Sequence, residues 1–179
     1  MTGVASVYGQ ALYDLARDEG LGSEILEELK ALKEAFVENA DFVRLLSSPG
    51  LPKEERLKIL GESFSGKIQP YTLNFMKILT EKGYMRHFAD CCDVYRERYN
   101  ADNGILPVKA VTAVPISQAQ AQRLCEKLGS ITGKTIELCS VVDPACIGGM
   151  RLDYDGKRVD DTVRSRLDRL HGILKNTIL

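Results

Sequence analysis

Over the first hundred positions apolar residues recur at three- and four-residue spacing, the mark of helices that bury one face. Val4, Tyr8, Ala11, Leu12, Leu15 and Ala16 draw one stripe from Val4 to Glu19, and Gly20 and Gly22 stop it. Ser23 is placed to cap a second helix, whose Leu26, Leu29, Leu32, Lys33 and Phe36 positions alternate with the acidic run Glu24, Glu27, Glu28 and Glu34. Acid in a first turn suits the helix dipole. Asp41 is expected to cap a short third helix with Phe42, Leu45 and Leu46, and Pro52 to sit at the first turn of a fourth with Leu57, Leu60 and Phe64. A fifth, from Gln69 to Glu81, is apolar over more than one face through Tyr71, Leu73, Phe75, Met76, Ile78 and Leu79, and should lie centrally. Beyond Gly83 a sixth carries Met85, Phe88, Ala89, Cys92, Tyr95 and Tyr99 and runs out at Asn100–Gly104.

After Gly104 the period changes from 3.6 to 2. Ile105 to Val114 is rich in β-branched residues and reads as a strand, with Pro107 marking an edge or irregular entry. Ser117 with Gln120 forms a capping box before a helix with the stripe Ala121, Leu124, Cys125 and Leu128, which Gly129 is expected to end. Thr135 to Val142 alternates as a second strand. Met150, Leu152 and Tyr154 make a third, and Asp155-Gly156 is a two-residue hairpin loop into Lys157–Val159. A last helix from Thr162 to Ile178 has the stripe Val163, Leu167, Leu170 and Leu174 and a basic outer face of Arg164, Arg166, Arg169 and Lys175. The expected fold class is therefore α+β: an N-terminal six-helix bundle over 1–104, followed by a small α/β domain over 105–179.

Charge sharpens that division. Residues 1–104 hold 13 Lys/Arg against 17 Asp/Glu, net −4, whereas residues 105–179 hold 11 against 8, net +3. The two parts should face different partners, and neither value reaches the strongly basic balance of a nucleic-acid binder. No apolar run approaches the roughly 20 residues of a membrane helix. Met1–Ala5 lacks the basic patch and apolar core of a signal peptide. The expectation is a soluble chain, and five cysteines without a C-x-x-C pair make the reducing cytosol the default.

Catalytic chemistry is not evident. Gly129–Thr135 ends in Gly-Lys-Thr like a phosphate-binding loop, but it has three residues between the glycines where four are needed, and it follows a helix and opens a strand, the reverse of the required order. His87 and His171 have no Cys or His at metal-ligand spacing. Cys92 and Cys125 fall on apolar stripes, Cys139 and Cys146 flank the turn at Pro144, and none has an identifiable activating base. Asp160-Asp161 precedes a helix and is better placed to cap it than to share a proton. Two surfaces remain: an apolar helical groove fit for a partner's amphipathic helix, and the basic face of the last helix, where arginines could meet carboxylates or phosphates.

The stretch Val142-Asp143-Pro144-Ala145-Cys146-Ile147-Gly148-Gly149-Met150, with Asp155-Gly156-Lys157 and Val163-Arg164-Ser165-Arg166-Leu167, resembles the carboxyl-terminal signature of the delta subunits of bacterial F-type ATP synthases, which are related to the mitochondrial oligomycin-sensitivity-conferring protein. Cys146 stands where a small polar residue is more usual. Asn74-Phe75-Met76-Lys77-Ile78-Leu79 before Gly83 looks like the family's fifth helix, and Tyr8-Gly9-Gln10-Ala11-Leu12-Tyr13 like its first. The resemblance implies a non-enzymatic peripheral-stalk subunit with no cofactor and no metal, which links the catalytic head to the membrane-anchored b subunits so that rotor torque drives ATP synthesis. It implies an alpha-subunit helix groove at Tyr8, Ala11, Leu12, Leu15, Phe75 and Leu79, filled by that subunit's amino-terminal helix. The b-subunit carboxyl ends would meet the second part, with Arg164, Arg166 and Arg169 as possible contacts. The place implied is the cytoplasmic face of the cell membrane, with membrane association only through the complex. Two other readings remain: a nucleic-acid-binding adaptor using the basic last helix, which its few aromatic neighbours disfavour, and a cytosolic enzyme.

Overall fold

In a computed structural model residues 3–48 and 50–169 are described. Six α-helices come first: α1 (Gly3–Asp18), α2 (Gly22–Glu38), α3 (Ala40–Ser47), α4 (Lys53–Phe64), α5 (Pro70–Glu81) and, after a 3-10 turn at Met85–His87, α6 (Phe88–Asp102). Then follow β1 (Ile105–Thr112), α7 (Gln118–Thr132), β2 (Thr135–Val142), a 3-10 turn at Pro144–Cys146, β3 (Met150–Tyr154) and β4 (Lys157–Asp160). Residues 163–169 are helical, and we call this segment α8. The class is α+β, rich in helix. Internal contacts divide the chain into two compact units, Met1–Tyr99 and Asn100–Leu179.

The first unit is built on one apolar core. Leu12, Ala16, Ile25, Leu29, Leu46, Leu60, Met76, Leu79 and Tyr95 are buried in it. All five phenylalanines of the chain join a single cluster: Phe36 lies 5.0 Å from Phe88, 5.9 Å from Phe42 and 6.1 Å from Phe64, and Phe75 reaches Phe88 at 6.2 Å. Such pairs add about 0.5–1.5 kcal/mol beyond their buried area. Helix α1 crosses α6 at Gly9, where a Cβ would meet the Cys91 carbonyl oxygen at 2.7 Å and Val94 Cβ at 2.9 Å. The acidic run of α2 has a structural task. One oxygen of Glu28 accepts the Gln69 backbone N–H at 2.8 Å and the other the Thr72 hydroxyl at 2.7 Å, while Glu24 accepts the Gln69 amide, so α2 caps α5 from outside.

Three capping expectations are corrected. Ser23 lies inside α2, whose start has no side-chain cap. Asp41 is in the first turn of α3, and the position before that helix is Asn39, again without a side-chain bond. Gly129 does not end α7; the helix continues to Thr132 and stops at Gly133, whose left-handed φ of 68° supplies the reversal. The capping box of Ser117 and Gln120 forms as expected.

In the second unit β1 is central, paired parallel to β2 and antiparallel to β3, in the order β2-β1-β3-β4. Leu106, Val108, Ala110 and Val111 of β1 are buried. The signature stretch folds back on itself. Asp143 accepts the Ala145 N–H at 3.0 Å, and Gly148 and Gly149 lie under the start of α8, where Val163 N–H donates to Gly148 O at 2.9 Å. A Cβ on Gly149 would fall 2.4 Å from Asp161 O, and its φ of 76° is one that glycine alone adopts freely. The expected carboxylate cap is also corrected: Thr162 caps α8 by accepting the Ser165 N–H at 3.2 Å, and Asp160 holds Thr162 through both its N–H and its hydroxyl.

Candidate interaction surfaces

In the first unit Val7, Ala11 and Leu15 stand at four-residue intervals along α1, and Ile78 lies on α5, which packs against α1. Val7 is 66% exposed, Leu15 41% and Ile78 45%, so both helices turn apolar side chains to water. Tyr8 is half-buried with its ring 6.0 Å from that of Tyr84. The Glu19 carboxylate raises the Tyr71 phenol above its ordinary range through its charge and a hydrogen bond, which ties the end of α1 to the start of α5.

The six groove residues expected from sequence separate into two layers. Ala11 and Leu15 are exposed and Tyr8 is half-buried, whereas Leu12, Phe75 and Leu79 are buried in the core beneath them. Val7 went unread, and Ile78 was read as part of the apolar fifth helix but not as a groove residue. Their signal was present: each is a large apolar residue lying off the buried stripe of its own helix.

The three arginines of α8 are all exposed but differently engaged. Arg166 grips Asp161 with two bonds of 2.9 and 2.6 Å, lowering that carboxyl below its usual range. Arg169 donates to Asp160 O at 2.9 Å and to Ser165 Oγ at 3.3 Å. Arg164 has no bonded partner among the described residues. Of the expected stripe, Val163 and Leu167 are 37% and 52% exposed, and Leu170, Leu174, Lys175 and His171 lie outside the described residues. On the same unit an apolar cleft of about 290 Å³ is lined by Val114, Pro115, Ile116, Leu124, Gly148 and Met150.

Among the described residues no catalytic groups assemble. Burial pushes the Cys91 thiol up to about 11 and Cys92 higher still, the opposite of an activated thiolate. Cys125 is half-buried, Cys146 is buried, and Cys139 is exposed. His87 is held between Arg86 Nε at 3.2 Å and Asp90 at 3.7 Å. Gly129–Thr135 is the end of α7, a turn and the start of β2. Among the described residues no cluster of three or more His, Cys, Asp or Glu could hold a metal, and no helix is long and apolar enough to cross a membrane.

Residues 4–174 match the family described as ATP synthase delta (OSCP) subunit. The ATP synthase subunit delta of Clostridioides difficile is 27% identical over 98% of this chain and 97% of its own, and that of Moorella thermoacetica 30% identical over 96% of each. Among solved structures, a chain of the Toxoplasma gondii mitochondrial ATP synthase hexamer superposes with a TM-score of 0.76 at 20% identity, over 97% of this chain and 98% of that one, a likeness of fold. The chain belongs to the ATP synthase delta (OSCP) family, whose members are non-catalytic subunits of that membrane-associated complex.

Proposed function

We propose that the outer face of α1 and α5 receives the amino-terminal helix of an alpha subunit, and that the second unit holds the carboxyl ends of the b subunits, at the cytoplasmic face of the cell membrane. The chain is a stator subunit of the F-type ATP synthase. A stator works only if it grips at both ends, since a head free to turn with the rotor would let protons flow without making ATP. The amino-terminal six-helix bundle is the head-side grip in this reading, and the carboxyl-terminal α/β domain the stalk-side grip.

One observation carries the first contact. Val7, Ala11 and Leu15 on α1 and Ile78 on the neighbouring α5 are exposed apolar side chains, of the kind that an amphipathic helix covers with its own apolar face. Leu12, Phe75 and Leu79 form the floor that fixes them. On the second unit Arg164 is the arginine of α8 without a bonded partner among the described residues and is the one offered to a carboxylate of a partner, whereas Arg166 and Arg169 support the helix start. The nucleic-acid reading loses its basis, because two of its three arginines are engaged within the chain.

The test is titration of the full chain with a peptide of an alpha subunit's amino terminus. Leu15→Glu and Ile78→Glu alter exposed positions, so the fold should persist by circular dichroism, and each should weaken binding about 10- to 100-fold, from roughly 1.5–3 kcal/mol of lost apolar burial. Unchanged affinity in both variants, with the fold intact, removes this face from the reading. Leu12 is unsuited to the test: at 4% exposure a glutamate there would bury a charge.

A further inference from the structure

The sheet of the second unit has two edges of opposite build. At one, β4 has four residues and carries Lys157, Arg158 and Asp160, the short, charged form that discourages another strand from pairing. At the other, β2 is eight residues long, with Glu137 its only charge and no proline. Its register against β1 runs unbroken from Ile105↔Thr135 to Thr112↔Val142, so it has no bulge.

The direction of its free backbone groups follows from two bonds. Thr135 N–H donates to Gly104 O at 2.9 Å, and Asp143 N–H donates to Thr112 O at 2.8 Å. In a parallel ladder a residue turns both its N–H and its C=O to one neighbour, and the next residue turns both the other way. The odd-numbered residues therefore serve β1, and Ile136, Leu138, Ser140 and Val142 point their groups outward. No described residue bonds them. Cys139, Ser140, Val141 and Val142 are all exposed, so the far half of this edge is open on both faces.

We propose that β2 is a docking edge to which an extended segment of another ATP synthase subunit adds as a fifth strand. The proposal rests on the stator reading for the identity of the assembly, and on the backbone for the rest. The row of outward N–H and C=O groups selects extended main chain over a helix. The lone Glu137 calls for a neutral or basic residue opposite, and Val141 and Val142 for apolar or β-branched ones. A second copy of this chain is a poorer occupant. Eight paired residues span about 26 Å and bury on the order of 500 Å² in all, against the roughly 1,200–2,000 Å² of a stable interface. A subunit already tethered in the same complex gains the missing affinity from effective concentration, which a free copy lacks.

Backbone amide exchange resolved to single residues, on the free chain and on the assembled ATP synthase, tests this. In the free chain Glu137, Cys139 and Val141 should be protected while Leu138, Ser140 and Val142 exchange fast. In the complex the second set should slow about tenfold or more. Ser140→Pro removes one outward donor, so the free chain should unfold at nearly the same temperature while Leu138 and Val142 lose protection in the complex. Val141→Pro, which removes an inward donor, should lower the unfolding temperature instead. Fast exchange of the even-numbered amides in the complex overturns the proposal. So does their protection in the free chain, whether independent of concentration, as when the chain covers its own edge, or dependent on it, as in a dimer. A chain that never enters the complex refutes the stator reading; one that enters with β2 bare refutes this proposal alone.

Discussion

The crossing of α1 over α6 gives a prediction in which two glycine-to-alanine changes of identical chemistry have opposite signs. Gly9 and Gly61 both lie inside helices, α1 and α4. In each, alanine gains about 0.5–1 kcal/mol of helix propensity. At Gly61 nothing lies within 4 Å of the added methyl, so that gain should stand. At Gly9 the methyl would press on the Cys91 carbonyl at 2.7 Å and Val94 Cβ at 2.9 Å, both on the backbone side of α6, where no flexible side chain can swing away. Forcing such a contact costs about 1–3 kcal/mol, which outweighs the propensity term and leaves Gly9→Ala less stable by roughly 0.5–2 kcal/mol. For a unit of this size that is a fall of about 3–12 °C in Tm, against a rise of about 3–6 °C for Gly61→Ala. Thermal and urea unfolding followed at 222 nm measure both. If Gly9→Ala matches or exceeds the parent, α1 and α6 do not cross at Gly9 and the close approach is wrong. The position also bears on binding, because Gly9 sets the rotation of α1 that turns Val7, Ala11 and Leu15 outward. Gly9→Ala should therefore weaken the alpha peptide as well, though it touches no part of it.

Gly149→Ala should be far more damaging than Gly9→Ala, since it combines a 2.4 Å clash against Asp161 O with a left-handed φ; proton NMR of the second unit's methyl groups should show lost dispersion, and native-like spectra would refute the packing described. A maleimide probe at pH 8 should label exposed Cys139 first and spare Cys91, Cys92 and Cys146 until the chain is unfolded; mass spectrometry of the peptides decides, and early labelling of Cys91 or Cys92 counts against the core. The hydrogen bond from Thr162 holds Asp160 below the ordinary carboxylate range. A depressed folded pKa gives stability that is present above about pH 3.9 and is lost as pH falls through the folded value. Asp160→Asn should flatten the decline of second-unit stability between about pH 4 and 2, and an unchanged slope excludes this contact as a source.

The helices were legible because burial on one side writes a 3.6-residue period, and the change of period after Gly104 marked where strands begin. The sheet's order was not legible: alternation in Thr135–Val142 predicts a strand but does not say that it lies at an edge. The groove was half legible for a related reason. A stripe shows which face is apolar, so Leu12, Phe75 and Leu79 were grouped with Ala11 and Leu15. Which of them neighbouring helices cover depends on packing: Leu12, Phe75 and Leu79 are covered, whereas Ala11 and Leu15 are left in water together with Val7 and Ile78. Caps were only partly legible. Ser23 and Asp41 have suitable side chains but fall inside their helices, and the backbone N–H that opens α5 is taken by Glu28, 41 residues away from Gln69. A local rule cannot see such an acceptor.

The central place of β1 bears on how the second unit is made. Its nearest partner in sequence, β2, pairs with it at a separation of thirty residues, as Ile105 with Thr135. At about 5–20 residues per second of synthesis, β1 waits roughly two to six seconds with Leu106, Val108 and Val111 bare before β2 has been made. The first unit's core, complete by Tyr95, can close before that wait begins. Translation speed across residues 113–142 therefore sets how long the stickiest strand of the chain stays unpaired, and slower decoding of that interval should lower soluble yield without changing a single residue.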